Sequence, residues 1–372
     1  MNKLVFSLLF VFTLTVPLGY AVPAFAITLT QISTPFPSPI GIDHHEEGVT
    51  DRVVMSVNYA SGTPNNFVLV ASDGTQSPFT ALSGFTDEVK IATARTGSVF
   101  PAGTMFTGNG MDGEIVRINP DGTLFGGNPW VSLPGTGNGL MRGSLYVDRT
   151  GFYGGDLIAV TTEGEVWRIN SAGASTFIAD VNTHLEGVVT VPNDSTQYGP
   201  LAGKIIAGAE AQGRLYIFDG VNPTTFILPG VNIEDIDHIT GTENFYGVNF
   251  GTSKLLGAPA SDFASYSGEI LLTQETHPGN SGLFHLFWDG SSLQALPITT
   301  AGATVGQWEH VTFSSAGIKE IPPTETGIGG EIIPIDTAAL LLAGIGTNYS
   351  VLSALGIALV GAGLAVFKLK RK

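Results

Sequence analysis

Short apolar runs broken by turn residues follow one another along most of the chain. Between Leu185 and Gly230 there are four such runs, at 186–192, 204–209, 214–218 and 224–228. Each run is rich in Val, Ile, Leu, Phe and Thr and is bounded by Gly, Pro, Asn or Asp, which is typical of a β-strand between turns. Four strands in about 45 residues is the size of one β-propeller blade. The pattern therefore predicts a blade over this segment.

A second pattern shows that the unit is repeated. An alternating strand that runs into a tight turn occurs at 67–74, 114–122, 165–173, 214–220 and 283–290. An Asp-Gly turn after such a strand is a strong hairpin signal. The closing glycines of the first four copies are 48, 51 and 47 residues apart, and the last interval is 70 residues. That long interval contains 244–249 and 254–258, which we interpret either as strands of a degenerate sixth blade or as an inserted hairpin.

These repeats predict an all-β fold, a β-propeller of four-stranded blades over residues 40–321, with six blades favoured over five. A two-sheet sandwich is the alternative fold, but it would not need similar units at a near-constant period. The innermost strands are expected to begin at Glu88, Ser144, Glu186, Glu234 and Glu309. We expect the last of them to pair near 52–59 and close the ring, because closure removes exposed sheet edges.

The N-terminus has the features of a secretory signal peptide over residues 1–26. Lys3 precedes a near-continuous apolar run at 4–18, and Ala24-Phe25-Ala26 is a small-x-small cleavage site. The alternative is an uncleaved membrane anchor. Residues 27–39 are rich in Pro, Ser and Thr and are interpreted as a lead-in to the propeller.

The C-terminus predicts attachment to a membrane. A Pro/Gly linker at 322–336 leads to an apolar pre-anchor segment at 337–350 and a charge-free segment at 351–367. The basic tail at 368–372 follows directly, and this order is typical of a transmembrane helix that ends in the cytoplasm. The bulk of the chain is then expected outside the cell, anchored in the membrane by this helix.

The charge of the middle of the chain limits its partners. The chain has a net charge of −16, and five of its 16 basic residues lie at the two ends, while all 32 acidic residues lie between Asp43 and Asp336. Such an acidic body disfavours nucleic acid as a partner and favours cations. The chain has no cysteine, so disulfides, thiolate metal sites and cysteine nucleophiles are excluded.

Acidic residues at the starts of the predicted innermost strands are the main candidate site. Strand starts converge at one end of a propeller's central channel, so we expect carboxylates to meet there, and carboxylate oxygens are suited to Ca²⁺. The alternative is that they only accept hydrogen bonds from neighbouring blades. No catalytic residue is assigned. Asn193-Asp194-Ser195 is a glycosylation sequon, in which Asn193 is the candidate acceptor. The candidate metal ligands are Glu88, Glu186, Asp235, Asp237 and Glu309.

Several segments resemble exported β-propellers of the NHL and SMP-30/gluconolactonase group. They are NYASGTPNNFVLVASDG, GFTDEVKIAT, LEGVVTVPND, GKIIAGAEAQGRLY and GQWEHVTF, and the resemblance covers 40 to about 322. It implies a propeller fold, and in SMP-30-like hydrolases a channel calcium works beside acid/base residues. The tail from Gly329, beginning GGEIIPIDTAALLLAG, resembles the C-terminal anchors of archaeal surface proteins. That second resemblance implies display at the cell surface.

The sequence thus predicts a membrane-anchored cell-surface propeller that binds an extracellular ligand or protein, or serves as a scaffold, with a channel cation. The alternative function is a calcium-type lactonase or esterase that acts at the channel mouth. A third alternative, a quinone-dependent propeller dehydrogenase, has no specific support in the sequence. Fold alone does not choose among these functions.

Overall fold

The computed structural model describes residues 26–318 except 49–50, 143, 221–222, 229 and 276–280. The predicted signal peptide lies outside this range apart from Ala26. The predicted linker, pre-anchor segment, transmembrane helix and basic tail, residues 322–372, also lie outside it.

Six antiparallel sheets make up the described part of the chain, and the ring they form confirms the predicted six-bladed propeller. Five sheets have four strands, and the sixth has a fifth strand added in parallel at its outer edge. The strands are numbered in chain order: β1 (Ile27–Gln31), β2 (Ile42–His45), β3 (Arg52–Ser56), β4 (Phe67–Val70), β5 (Gln76–Pro78), β6 (Ile91–Thr93), β7 (Met105–Gly108), β8 (Glu114–Ile118), β9 (Val131–Ser132), β10 (Ser144–Val147), β11 (Leu157–Val160), β12 (Glu165–Ile169), β13 (Ser175–Asp180), β14 (Glu186–Thr190), β15 (Ile205–Ala209), β16 (Arg214–Phe218), β17 (Thr224–Ile227), β18 (Ile233–His238), β19 (Asn244–Asn249), β20 (Lys254–Ala258), β21 (Ile270–Gln274), β22 (Gly282–Trp288), β23 (Leu293–Ile298), β24 (Thr300–Gly302) and β25 (Trp308–Ser314).

Blades 1 to 4 are continuous in the chain: β2–β5, β6–β9, β10–β13 and β14–β17, each from the innermost to the outermost strand. The innermost strands β2, β6, β10, β14, β18 and β25 contact one another in turn, and β25 contacts β2 to complete the circuit. The second strands of the blades are mostly apolar and buried, as in β11, because both faces of a blade pack against neighbouring blades. The innermost strands are buried too, but β2 (IDHH) and β18 (IEDIDH) carry several polar side chains. The outermost strands, such as β13, keep exposed positions.

Blades 5 and 6 are assembled differently, and this resolves the long repeat interval. Blade 5 runs β18-β21-β22-β23, and the hairpin β19–β20 is inserted between its first two strands. That hairpin is at the same time the middle of blade 6, whose order is β25-β19-β20-β1-β24. The two interpretations of 244–258 are therefore both true: the segment is an inserted hairpin and it supplies strands of the sixth blade.

Ring closure differs from the sequence expectation in two respects. The last innermost strand β25 pairs with β19 inside blade 6, not with strands near 52–59. Residues Ile27–Gln31, expected in a lead-in segment, form β1, which pairs with β20 and β24. The alternating burial of Ile27 and Leu29, both 1% exposed, accounts for their place in the sheet.

The hydrophobic core lies in the seams between blades. The largest apolar cluster joins Ile158 of blade 3, Val189 of blade 4 and Ile236 of blade 5, all buried. Tight turns close the hairpins: Gly122 has φ +82°, and a Cβ there would lie 1.9 Å from the carbonyl oxygen of Phe79. Only glycine fits at this position.

The helices are short pieces between strands, α1 (Ser195–Tyr198) and α2 (Ala260–Phe263). Within the described ranges no helix has both the length and the apolar character that a bilayer span requires. The segment predicted to span the membrane, 351–367, is outside those ranges.

Candidate functional site

One end of the channel is surrounded by glutamates, with one lysine at their centre. Glu186 opens β14, Glu234 and Glu309 are the second residues of β18 and β25, and Lys90 directly precedes β6. Because all innermost strands start at the same end of the ring, these side chains meet there. We call the following set the glutamate mouth: Glu88, Lys90, Arg142, Glu186, Glu210, Glu234, Glu275 and Glu309.

Lys90 is fully buried and is the fixed cation of the glutamate mouth. Its Nζ lies 2.5 Å from Oε1 of Glu234 and 3.6 Å from Oε2 of Glu309. Burial by itself would lower the pKa of Lys90, but Glu234 and Glu309 outweigh it and raise that pKa well above its usual value. Burial would raise the pKa of Glu234, but Lys90 lowers it to about 2. Lys90 and Glu234 are therefore both charged at neutral pH.

The glutamate mouth holds six glutamates but only two positively charged side chains, Lys90 and Arg142. Arg142 bonds to Glu88 through Nε at 2.9 Å. Burial, and then the charge of Glu234, raise the pKa of Glu186 and of Glu309 well above its usual value. The same two causes raise the pKa of Glu210 to about 7. The mouth therefore holds protons that a cation can displace.

Three of these carboxylates point at one another. Glu186, Glu210 and Glu234 each offer an oxygen, and these oxygens all lie within 4.8 Å of one another. Glu186 is 4% exposed, and its Oε2 is buried without a hydrogen-bond partner among the described residues. Glu210 reaches the mouth from a 3₁₀ turn, Glu210–Gln212, that connects β15 to β16.

Histidines accompany two of the acids. His184 Nε2 lies 3.1 Å from Oε1 of Glu186 but is not aligned for a hydrogen bond. Burial lowers the pKa of His184, so its imidazole is neutral at neutral pH. His310 Nδ1 lies 3.9 Å from Oδ2 of Asp235, and burial lowers the pKa of His310 well below its usual value.

Of the five residues predicted as metal ligands, the structure brings Glu88, Glu186 and Glu309 to the glutamate mouth and leaves two elsewhere. Asp235 Oδ2 accepts from the backbone N of Val311 at 2.8 Å, and Asp237 Oδ2 accepts from that of Phe313 at 3.2 Å. Both carboxylates therefore tie β18 to β25. Asp235 and Asp237 do not join the glutamate mouth because side chains alternate along β18, so that both point away from Glu234.

The opposite end of the channel is closed by a second cation, Arg149, which follows β10. Its Nη2 lies 3.2 Å from Oδ1 of Asp43, and its Nη1 lies 3.5 Å from Oδ1 of Asp237. Between this end and the glutamate mouth, Tyr146, Asp235 and His310 line a cavity of about 20 Å³. That volume holds about one water molecule, so the channel interior does not admit a larger ligand.

Sequence reasoning missed Lys90, Arg142, Glu210 and Glu275, and it placed Glu234 at the start of an innermost strand but named Asp235 and Asp237 as the ligands there. Lys90 could have been found, because it lies two residues after Glu88 in EVKIA and so shares its side of an extended chain. Glu210 gave no such signal, because it lies in a turn that the sequence presents as an ordinary hairpin. The sequon residue Asn193 is exposed in the loop before α1.

Comparisons with known proteins give similarity of fold. No family model matches this chain, and no curated protein matches it. Similar solved structures include the PQQ-bound aldose sugar dehydrogenase from Streptomyces coelicolor, with 13% identity over 78% of this chain and 89% of that one and a TM-score of 0.48. A gluconolactonase from Xanthomonas campestris has 15% identity over 75% and 81%, with a TM-score of 0.41. A streptogramin B lyase has 13% identity over 73% and 88%, with a TM-score of 0.42. Identities and TM-scores this low do not assign an activity. The propeller fold is established by the order of strands in the sheets.

Proposed function

We propose that this protein is a cell-surface binding propeller whose glutamate mouth holds a divalent cation of the Ca²⁺ type. The observation that carries the proposal is the carboxylate of Glu186, buried with one oxygen unpartnered and facing Glu210 and Glu234. A buried polar atom without a partner is costly, and an oxygen that binds a cation no longer has that cost.

The residues fit such an ion by distance and by type. Two oxygens bound to one Ca²⁺ at about 2.4 Å each lie at most about 4.8 Å apart, and the oxygens of Glu186, Glu210 and Glu234 meet this limit. Glu234 already bonds to Lys90 and would bind the ion as a shared ligand, while Glu186 and Glu210 would supply carboxylates after losing the protons that their raised pKa values retain. Waters or a ligand complete the six to eight oxygens that Ca²⁺ takes.

Isothermal titration calorimetry with CaCl₂ tests this site. We expect binding by the purified protein, weakened at least tenfold by Glu186→Gln and by Glu210→Gln. Glu163→Gln is the matched control, because Glu163 is an exposed glutamate in the β11–β12 turn, the equivalent in blade 3 of the turn that carries Glu210. Absence of Ca²⁺ binding, or an equal loss of Ca²⁺ affinity in all three variants, would contradict the proposed cation site.

A hydrolase that acts on lactones or esters is the second candidate, and His184 is the observation that favours it. Its imidazole is neutral at neutral pH, and its Nε2 is unpartnered beside Glu186. Such a group can accept a proton from water as a general base. A bound divalent cation would supply polarisation of a substrate carbonyl. His184→Gln should then lower kcat on a lactone panel about 10²–10⁴-fold while Ca²⁺ affinity stays unchanged; an unchanged kcat would exclude this function for His184.

Display at the cell surface rests on the sequence of the two ends, with a signal peptide at 1–26 and an anchor at 351–367. In this proposal the propeller lies outside the cell, where free Ca²⁺ suits a weak acidic site. Fractionation of cells that produce the full chain tests the anchor. Recovery of the protein from the soluble fraction would contradict it, and so would retention of a 1–336 truncation in the membrane.

A further inference from the structure

The signal peptide predicted from the sequence ends at the residue before the first strand of the propeller. Ala24-Phe25-Ala26 is the cleavage motif, and β1 begins at Ile27. This strand lies inside blade 6, where it pairs with β20 on one side and with β24 on the other. Ile27 is 1% exposed. Cleavage after Ala26 therefore leaves the new N-terminus within the sheet, with no free residue in front of it.

Hydrolysis of the Ala26–Ile27 peptide bond changes what the nitrogen of Ile27 requires. The reaction adds one water molecule, leaves a carboxylate on Ala26 and leaves an ammonium group on Ile27. As a peptide nitrogen, the N of Ile27 has one hydrogen, which it donates to the carbonyl oxygen of Thr299 at 2.9 Å. As an ammonium it has three hydrogens and a positive charge. Two more N–H groups then need acceptors, and the charge at a buried residue needs a partner of opposite sign.

A carboxylate lies beside this nitrogen. Oδ2 of Asp262 accepts from the backbone N of Thr28 at 3.2 Å. Because successive backbone nitrogens of a strand are about 3.5 Å apart, this oxygen lies at most about 7 Å from the nitrogen of Ile27. Oδ1 of Asp262 has a single long contact among the described residues, 3.5 Å from Oγ of Ser261. An ammonium directs its hydrogens to different sides, so one can stay on Thr299 while another faces Asp262.

The backbone of Asp262 is held beside β1 by the packing of α2. Phe263 is fully buried and belongs to the same apolar cluster as Ile27. The backbone N of Ala260 donates to Oδ1 of Asn244 at 3.0 Å, which ties the start of α2 to blade 6. The carboxylate of Asp262 therefore needs only a side-chain rotation to reach an ammonium at the start of the strand.

We propose that removal of residues 1–26 creates an ion pair between the α-ammonium of Ile27 and the carboxylate of Asp262, so that processing adds a stabilising contact to blade 6. The inference rests on the signal peptide of the proposed cell-surface function. In the folded protein the Ala26–Ile27 bond adjoins a buried residue of the sheet, so a signal peptidase must cut it before β1 pairs with its neighbours. The unprocessed chain has no ammonium at Ile27 and cannot form the pair.

Two forms of the purified chain test the pair, one that begins at Ile27 and one that begins at Val22, both ending at Lys372. Acetylation of the α-amine by acetic anhydride at pH 7, followed by mass spectrometry, reports the neutral amine, because the ammonium does not react. Asp262→Asn removes the charge but keeps an oxygen that can accept from the backbone N of Thr28. We expect it to accelerate acetylation of the Ile27 form about tenfold, which corresponds to one unit in the pKa of the amine, and to leave the Val22 form unchanged.

Asp180→Asn is the matched control. Asp180 is an exposed aspartate of β13 in blade 3, and its Oδ1 likewise accepts from one backbone N, that of Asn182, at 2.7 Å. This variant should leave the acetylation rate of both forms unchanged. The Tm should be about 2 °C higher for the Ile27 form than for the Val22 form, and Asp262→Asn but not Asp180→Asn should remove this difference.

An acetylation rate that Asp262→Asn leaves unchanged overturns the pair, and so does an equal acceleration in the Val22 form, which would indicate a merely structural effect. N-terminal sequencing of the exported protein tests the processing, and a first residue other than Ile27 would overturn that part of the proposal. Both forms have a defined N-terminus and are measured in EDTA. The results therefore depend neither on the membrane anchor nor on a bound cation, which the fractionation and the calorimetry test separately.

Discussion

Nζ of Lys90 lies 2.5 Å from Oε1 of Glu234, and this ion pair joins the innermost strands of two opposite blades, 2 and 5. Both side chains are buried, so the pair replaces water as the partner of each charge. Arg149 has the corresponding place at the other end of the channel, between Asp43 and Asp237. A cation, paired with carboxylates, thus lies at each end of the channel.

Replacing Lys90 by Met should destabilise the propeller strongly, because Glu234 would remain buried without a cation bonded to it. Loss of one partner of a buried pair costs about 3–5 kcal/mol in the free energy of unfolding. Urea unfolding of wild type and variant measures this loss of free energy. The double variant Lys90→Met/Glu234→Gln should recover part of the loss.

Lys204→Met is the control for that experiment. Lys204 bonds to Asp219 at 2.8 Å, but the side chains are 27% and 50% exposed. Removing this exposed pair should leave the unfolding free energy nearly unchanged. Similar losses in the Lys90 and Lys204 variants would show that the central pair contributes no more than a surface pair.

In EDTA, the contribution of Glu210 to stability should fall as pH rises from about 5 to 8, whereas buried histidines such as His184 and His310, whose pKa values burial lowers, act in the opposite direction up to about pH 6.5. Burial and the charge of Glu234 raise the pKa of Glu210 from 4.5 to about 7 in the folded protein. The folded state therefore favours the protonated carboxyl, and this contribution is fully present below pH 4.5 and is lost as pH rises through 7. Glu186 and Glu309 shift in the same direction.

The thermal midpoint measures this effect. After solvent screening of a half-buried group, Glu210 should account for about 1 kcal/mol, equal to about 2–4 °C in Tm. Glu210→Gln should remove that part of the pH dependence, whereas Glu163→Gln should retain it. The same dependence of Tm on pH in Glu210→Gln as in wild type would contradict the assignment.

Binding of Ca²⁺ should release protons near neutral pH, because a carboxyl with a raised pKa must ionise before it can bind the ion. Calorimetry at pH 6.5 in two buffers of different ionisation enthalpy measures the number released. We expect proton release in wild type, less of it in Glu210→Gln, and less at pH 8.5 than at pH 6.5 because Glu210, with a pKa of about 7, is then already ionised. Equal heats in both buffers at pH 6.5 would argue against Glu210 as a ligand.

Ring closure by the N-terminal strand gives a further prediction. Leu29 of β1 is 1% exposed, and Leu29→Ala should lower the unfolding free energy by about 2–5 kcal/mol, since a cavity would open in blade 6. Ile227→Ala is the control, because Ile227 is 59% exposed on β17 and should cost little. If the two losses were alike, β1 would be dispensable for closure.

The sequence by itself determined the repeated unit. The turns that follow 67–70, 114–118, 165–169, 214–218 and 283–288 are encoded locally, because an alternating strand and the turn residues after it are neighbours in the chain. It also predicted that acids at strand starts would meet, and Glu186 and Glu309 do meet at the glutamate mouth. Six blades were favoured on the same local grounds.

The tertiary structure alone decided how blade 6 is assembled and what the mouth contains. Blade 6 takes β1, the hairpin β19–β20 and β24–β25 from three separate parts of the chain, and no local pattern records which distant strands pair. Lys90 and Glu234 are 144 residues apart, and Glu210 reaches them from a turn. The partner of a charged side chain in the channel depends on which blades lie opposite each other, and this is determined only when the ring closes.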